Sequence, residues 1–267
     1  MRTSRSPGGR QPLGQHFLRG ERTVARILDA LGASEGEWVV EVGPGRGALT
    51  RPLVSRGVRV LAVEVDAALA AALETELGGG SFRITVADAR SADLASLLAA
   101  AGAAPPVPLV ANLPYESATP MLRSFVRRHG LLSRLVVMVQ KEVAERLAAR
   151  AGDDAYGFLS VDVGAYATAR RLFDVSPGEF SPPPRVTSSV VELVPRPAAD
   201  GVEGALAVAS AGFSARRKTL LNSLSSRWPR ESVAAALEGA GVSPRARAEE
   251  LSIAEFAALA GLLGPAG

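Results

Sequence analysis

Trp38-Val-Val-Glu-Val42 runs directly into Gly43-Pro-Gly-Arg-Gly47, and this junction decides the fold. A valine-rich run of five without helical spacing reads as a strand buried on both faces, and the glycines at 43, 45 and 47 read as a tight turn beyond it. Glycine lets a backbone approach a ligand closely and take dihedrals barred to residues with a Cβ. A dinucleotide fingerprint would put its third glycine at position 48, where this chain has Ala48, which that pattern tolerates. Taken alone, the glycines fit either a ligand cradle or a plain structural turn.

Outward from this junction the same alternation continues. Residues 48–56 have a helical pattern, residues 58–63 form the next strand, and residues 67–77 the next helix, stopped by Gly78-Gly-Gly80. Further strands are expected at 82–86, 109–111 and 135–140, and helices at 93–101, 119–128 and 141–150. Strand and helix at this spacing predict a mostly parallel sheet with helices on both faces, because parallel strands need crossover helices. Ligands of such sheets lie at the carboxyl ends of the strands. Residues 186–194 make a last strand, Pro195-Arg-Pro-Ala-Ala-Asp-Gly201 has linker composition, and the remainder is helical in pattern. The expected division is a large α/β domain at 1–198 and a small helical domain at 199–267.

Composition narrows the chemistry. With 47% hydrophobic and 21% charged residues in 267, the chain buries a sizeable core and is not a disordered polymer. Cysteine is absent and the two histidines, His16 and His129, lie far apart, which excludes a disulfide framework and a catalytic thiol and argues against any metal centre. No apolar run reaches the roughly 18 to 20 residues of a membrane span, and the basic N-terminus lacks an apolar signal core. A soluble, unexported, cytoplasmic protein is expected. The net charge is only +3, yet residues 1–26 hold six arginines against one acid. Positive charge is therefore local, as for surfaces that meet phosphates or for an arginine-rich solubilising face.

Two acids end consecutive strands above the glycine turn. Glu64, 21 residues after Gly43, can accept both ribose hydroxyls of a nucleoside, and Asp88 can accept from an adenine amino group. Either is ordinary singly, but together they describe an adenosine pocket. Asn112-Leu-Pro-Tyr115 then closes a fourth strand. An Asn oxygen and a backbone carbonyl can hold both protons of an exocyclic amine while Tyr115 stacks on its ring; an Asn-capped turn is the plainer alternative.

These motifs, with Gln15-His-Phe-Leu18, Glu41-Val-Gly-Pro-Gly-Arg-Gly47, Gln140-Lys-Glu-Val-Ala-Glu-Arg146, Tyr156-Gly-Phe-Leu-Ser-Val161, Phe173-Asp-Val175, Phe180-Ser-Pro-Pro-Pro-Arg-Val186 and Phe213-Ser-Ala-Arg-Arg-Lys-Thr-Leu-Leu-Asn-Ser-Leu224, stand in order over about residues 11–224. Together they resemble the small-subunit ribosomal RNA adenine dimethyltransferases. The resemblance implies a Rossmann-like class I methyltransferase sheet with a small C-terminal helical domain. It also implies S-adenosylmethionine held by His16, Leu18, Gly43, Gly45, Glu64, Asp88 and Asn112. The catalytic loop would be Asn112, Leu113, Pro114 and Tyr115, with Phe180 closing on the target base opposite Tyr115. The implied reaction converts two adjacent adenines in the 3′-terminal hairpin of 16S rRNA to N6,N6-dimethyladenine on an assembling small subunit, with the protein acting as a monomer. Two departures are visible: Glu116-Ser-Ala118 replaces the Asn-Ile-Ser of many members, adding an acid near the expected RNA path, and His16 replaces a commoner Asn.

Two cationic runs are candidate phosphate contacts. Arg216, Arg217 and Lys218 with Arg227 and Arg230 form one, and Arg123, Arg127, Arg128 and Arg134 the other, each without an acid in its run. Either run could equally be a solvated helix face. Alternatives for the chain are a large-subunit methylase of the antibiotic-resistance type, a non-catalytic nucleic-acid-binding assembly factor on this scaffold, and a nicotinamide-dependent oxidoreductase, which would need a hydride-site acid or base not evident here.

Overall fold

A computed structural model describes residues 16–215 and 217–265. In chain order the elements are β1 (Phe17–Leu18), α1 (Glu21–Leu31), β2 (Trp38–Val42), α2 (Thr50–Ser55), β3 (Arg59–Glu64), α3 (Ala67–Leu77), β4 (Phe82–Val86) and α4 (Leu94–Ala101). There follow β5 (Val107–Asn112), α5 (Ala118–Val126), β6 (Leu132–Gln140), α6 (Lys141–Ala148), α7 (Phe158–Gly164), β7 (Ala167–Val175), β8 (Phe180–Ser181) and β9 (Ser188–Pro195). The C-terminal part is helical: α8 (Val202–Phe213), α9 (Leu220–Leu224), α10 (Arg230–Gly239) and α11 (Ile253–Leu263).

Seven strands form one sheet in the order β4-β3-β2-β5-β6-β9-β7. The pairs from β4 through β6 are parallel, and β9 lies antiparallel between β6 and β7. The predicted α/β sheet is therefore present, and its order reverses between β2 and β5, the switch point at whose carboxyl ends sheets of this kind form their ligand crevice. Register places that crevice: Val42 pairs with Val63 and Ala111, and Glu64 pairs with Val86. The ends of β4, β3, β2 and β5 thus stand in a row about 14 Å long, three strand spacings.

Alternation along the strands sorts the core into two. Val40, Val42, Leu61, Val63, Leu109 and Leu135 face one side, whereas Val39, Val60, Ala62, Val110 and Val136 face the other. Helices α1, α2 and α3 cover the second face through Ile27, Leu28, Leu53 and Leu73. The first face continues without a break into α8 and α11, through Leu206, Ala209, Phe256 and Leu259. Helix starts are fixed locally: Asp66 accepts from the Ala68 and Leu69 N–H groups, and Ser252 does the same for Glu255. Among the described residues no helix is long and apolar enough to cross a membrane.

Candidate active site

The turn after β2 is built on left-handed glycines, with φ of +66° at Gly43 and +79° at Gly47. They serve different ends. A Cβ on Gly47 would come within 2.7 Å of Leu73, so packing against α3 requires glycine there; a Cβ on Gly43 would meet nothing within 4 Å. Gly43 instead presents bare backbone to the crevice, and its N–H is tied to the Val63 carbonyl at 2.9 Å.

Glu64 is buried at the end of β3, and its carboxylate holds this turn together. Oε2 accepts from Gly45 N–H at 3.0 Å, while Oε1 accepts from Val65 and Asp66 N–H at 2.8 and 3.0 Å. Three of about four acceptor positions are filled. The picture of one carboxylate taking both ribose hydroxyls is corrected accordingly: Glu64 has room for one. Gly45 likewise supports the turn, its N–H on Glu64 and its α-carbon beneath the Phe17 ring.

Asp88 does not stand free. Arg90 chelates both of its oxygens and holds its carboxyl below the usual range, so an adenine amine would have to displace that guanidinium. Between the two acids lie exposed apolar side chains that sequence reading missed, Val65 and Val86, at 58% and 55% exposure. They furnish flat, unpartnered surface for a purine ring.

Beneath the turn, Glu41 is buried in β2, and Thr50 follows at the start of α2. Glu41 Oε2 and Thr50 Oγ1 have no hydrogen-bond partner among the described residues. Burial pushes the Glu41 carboxyl up to about 7; the Thr50 hydroxyl lies near enough to oppose this although its geometry falls short of a hydrogen bond, and the nearby Glu64 adds to the rise.

Asn112 ends β5 across the switch point from Gly43. Its Nδ2 donates to the His16 carbonyl at 3.0 Å, which leaves Oδ1 as the acceptor facing away from the N-terminal strand. Leu113 anchors the loop, its side chain buried and its N–H on the Met138 carbonyl. Of the two carbonyls considered as partners to Asn112, that of Pro114 already accepts from Ser117 N–H at 3.1 Å, whereas among the described residues Leu113 C=O accepts nothing. The Tyr115 hydroxyl shares a 2.8 Å hydrogen bond with Ser188, which is buried at the start of β9; nothing in the sequence signalled Ser188. Glu116 lies exposed in the following turn.

One expectation is overturned. Phe180 is 4% exposed and packs with Leu18, Val24 and Val190, and the ring against Tyr115 is His16, with centroids 5.7 Å apart. The short strand pair β1·β8 draws Phe180 into the core, because Leu18 and Phe180 face each other in its register. The cationic run on α5 has partners within the protein. Arg123 and Arg127 both bond the fully buried Asp162 of α7, and Arg127 also lies 4.1 Å over Tyr166. Arg134 bonds carbonyls at the end of α1 and pairs with Glu192. These arginines are engaged with other protein groups while keeping part of each side chain open to solvent. Arg217 and Lys218, by contrast, are exposed and without an acidic partner among the described residues; Arg216 lies outside them. Among the described residues no cluster suits a metal ion.

A cavity of about 590 Å³ lies between α1 and α2, lined by Arg19, Val24, Leu28, Arg46 and Pro52 among others. It contains none of Glu64, Asp88 and Asn112, but it borders the glycine turn through Arg46 and Gly47 and includes Leu18.

Residues 8–263 match the family described as ribosomal RNA adenine dimethylase. A protein of Methylococcus capsulatus named ribosomal RNA small subunit methyltransferase A is 42% identical over 260 residues, 96% of this chain and 98% of that one. One of the same name from Xanthomonas campestris is 40% identical over 97% of this chain and 98% of its own length. Among solved structures, the 23S rRNA methyltransferase ErmE superposes with a TM-score of 0.69 at 26% identity, covering 92% of this chain and 99% of that one. A dimethyladenosine transferase from Plasmodium falciparum shares the fold, with a TM-score of 0.73 at 23% identity over 91% and 96% of the two chains.

Proposed function

This chain belongs to the ribosomal RNA adenine dimethylase family, and on that premise we propose the substrate and the residue roles that follow. It is an S-adenosylmethionine-dependent ribosomal RNA adenine dimethyltransferase. Its target, in our reading, is the pair of adjacent adenines in the 3′-terminal hairpin of 16S rRNA within an assembling small subunit, modified in the cytoplasm. The 40–42% identity to small-subunit enzymes, against 26% to the 23S enzyme, favours this over a large-subunit target.

The crevice suits the cofactor. Gly43 offers open backbone, Glu64 one acceptor position, Val65 and Val86 apolar walls, and Glu41 with Thr50 unsatisfied polar atoms beneath. His16, Leu18 and Asp88 complete the proposed shell. When bound, the cofactor supplies a sulfonium-activated, electrophilic methyl group.

The chain's own work is to aim the nucleophile. The adenine N6 lone pair is delocalised into the ring and is weakly nucleophilic until the nitrogen pyramidalises. Asn112 Oδ1 and the Leu113 carbonyl accept from the two N6–H groups and turn the lone pair toward the methyl. Positioning of this kind is worth roughly 7 to 11 kcal/mol, so no dedicated base is invoked. Once N6 is methylated it would carry a surplus proton, which is released to water. Tyr115, fixed by Ser188, provides the stacking surface for a base extruded from its helix. Residues 199–267, with Arg217 and Lys218 exposed, form the proposed RNA-contacting part, which shares its core with the sheet.

The observation that carries this reading is the Asn112 amide, whose orientation the His16 carbonyl fixes with the acceptor outward. The test is transfer of labelled methyl to small subunits lacking the modification, followed by mapping of the acceptors. Label should appear on N6 of the two hairpin adenines, and Asn112→Ala should lower kcat about a hundredfold or more. Label on another nucleotide, or full turnover by Asn112→Ala, would overturn the assignment.

A further inference from the structure

Residue 16 enters the site as a cofactor contact only by resemblance, but its own contacts lie elsewhere. Its carbonyl receives the Asn112 amide at 3.0 Å. Its ring lies against Tyr115, with 5.7 Å between centroids and 31° between planes. Its Nδ1 is 2.8 Å from the Pro182 carbonyl, and because a carbonyl only accepts, Nδ1 carries the proton. One residue thus touches both working members of the catalytic loop and ties them to the segment after β8.

We propose that His16 is a positioning residue for methyl transfer, which sets the Asn112 amide acceptor-outward and braces the Tyr115 ring. A reversed Asn112 amide would present N–H donors to an amine that itself donates, so the orientation decides whether the loop binds N6 or repels it. Tyr115 needs two restraints to hold a ring plane: Ser188 holds the hydroxyl and His16 holds the face. His16 is in turn held from behind. The Arg19 N–H donates to the Glu179 carbonyl at 2.8 Å, and the Thr23 hydroxyl donates to the Glu179 carboxylate at 2.9 Å. Gly20 leaves just enough space for that carboxylate, since a Cβ there would sit 1.4 Å from Glu179 Oε2.

The inference rests on the N6-methylation reading, and the experiment separates the two. Wild type, His16→Ala, Tyr115→Ala and the double variant are compared in steady-state methylation of unmodified small subunits, with cofactor affinity measured by calorimetry. Loss of the imidazole leaves the carbonyl in place but frees the strand end, so kcat at saturating cofactor should fall about tenfold, as small misplacements of reacting groups do, whatever the lost shell contact does to cofactor Kd. In the Tyr115→Ala background the same change should cost less than the full tenfold, because the ring it braces is gone while the tie to Asn112 remains. Should His16→Ala fold poorly, His16→Leu keeps side-chain bulk at the strand end while removing the Nδ1–H bond to Pro182 and the aromatic face against Tyr115, and carries the same expectation. Unchanged kcat with weakened cofactor binding, or fully additive losses in the double variant, would overturn the proposal. A wild-type enzyme that methylates no adenine would instead overturn the reading it rests on.

Discussion

Asp162 and Glu41 are both shut away from water, at 0% and 2% exposure, yet the fold treats them oppositely. Asp162 has a guanidinium on each oxygen, from Arg123 and Arg127, and Arg127 extends the network across Tyr166, whose hydroxyl bonds Glu203 on α8. Glu41 has no cation beside it, an unsatisfied Oε2 and a second carboxylate, Glu64, nearby. The first arrangement locks α5, α7 and α8 together. The second leaves polar capacity unspent beneath the glycine turn. The Asp162 joint is fully paired, whereas Glu41 beneath the glycine turn is not.

The contrast is open to measurement. Because burial raises the Glu41 pKa from 4.5 to about 7, the folded state holds its proton more tightly than the unfolded state. Its contribution is therefore fully present below about 4.5 and is lost as pH rises through 7. Replacing it by the neutral isostere in Glu41→Gln should leave cofactor-free stability unchanged at pH 4 and raise it by about 3 kcal/mol at pH 8, read from urea unfolding. Identical pH profiles for variant and wild type would show that folding leaves the Glu41 carboxyl's pKa unshifted.

Asp162→Ala should cost about 2 kcal/mol in the same assay, at the low end for a buried ion pair because Arg123 and Arg127 are part-exposed and regain water. A loss below about 0.5 kcal/mol would mean that the network adds no rigidity. Arg217→Ala and Lys218→Ala, whose side chains face solvent, should change stability by less than about 0.5 kcal/mol. Each should instead flatten the salt dependence of RNA affinity by about one unit of slope, measured by filter binding across a salt series.

Much of the sheet was legible because β2, β3 and β5 are buried on both faces and so read as unbroken apolar runs. β7 was missed: it is the outermost strand, and Thr168, Arg170, Arg171 and Asp174 on its exposed side break the apolar pattern. α7 was missed because Val161, Val163 and Gly164 favour other conformations, and burial overrides that preference. At the site, glycines and strand-end acids announce themselves by position. Partners do not: the arginines of α5 stand in an acid-free stretch of chain, and their acid arrives from α7 only through folding. Phe180 failed for a similar reason, since a two-residue strand pairing decided which way its ring faces.

That two-residue pairing has a consequence in time. Phe17 meets Ser181, and Tyr115 leans on Ser188, so the working pocket is stitched from the beginning and the late middle of the chain. During synthesis, nothing shorter than about the first 188 residues, once clear of the exit tunnel, can assemble it. An enzyme whose substrate is ribosomal RNA therefore stays incompetent through most of its own translation, while the nearest such RNA is that of the ribosome making it.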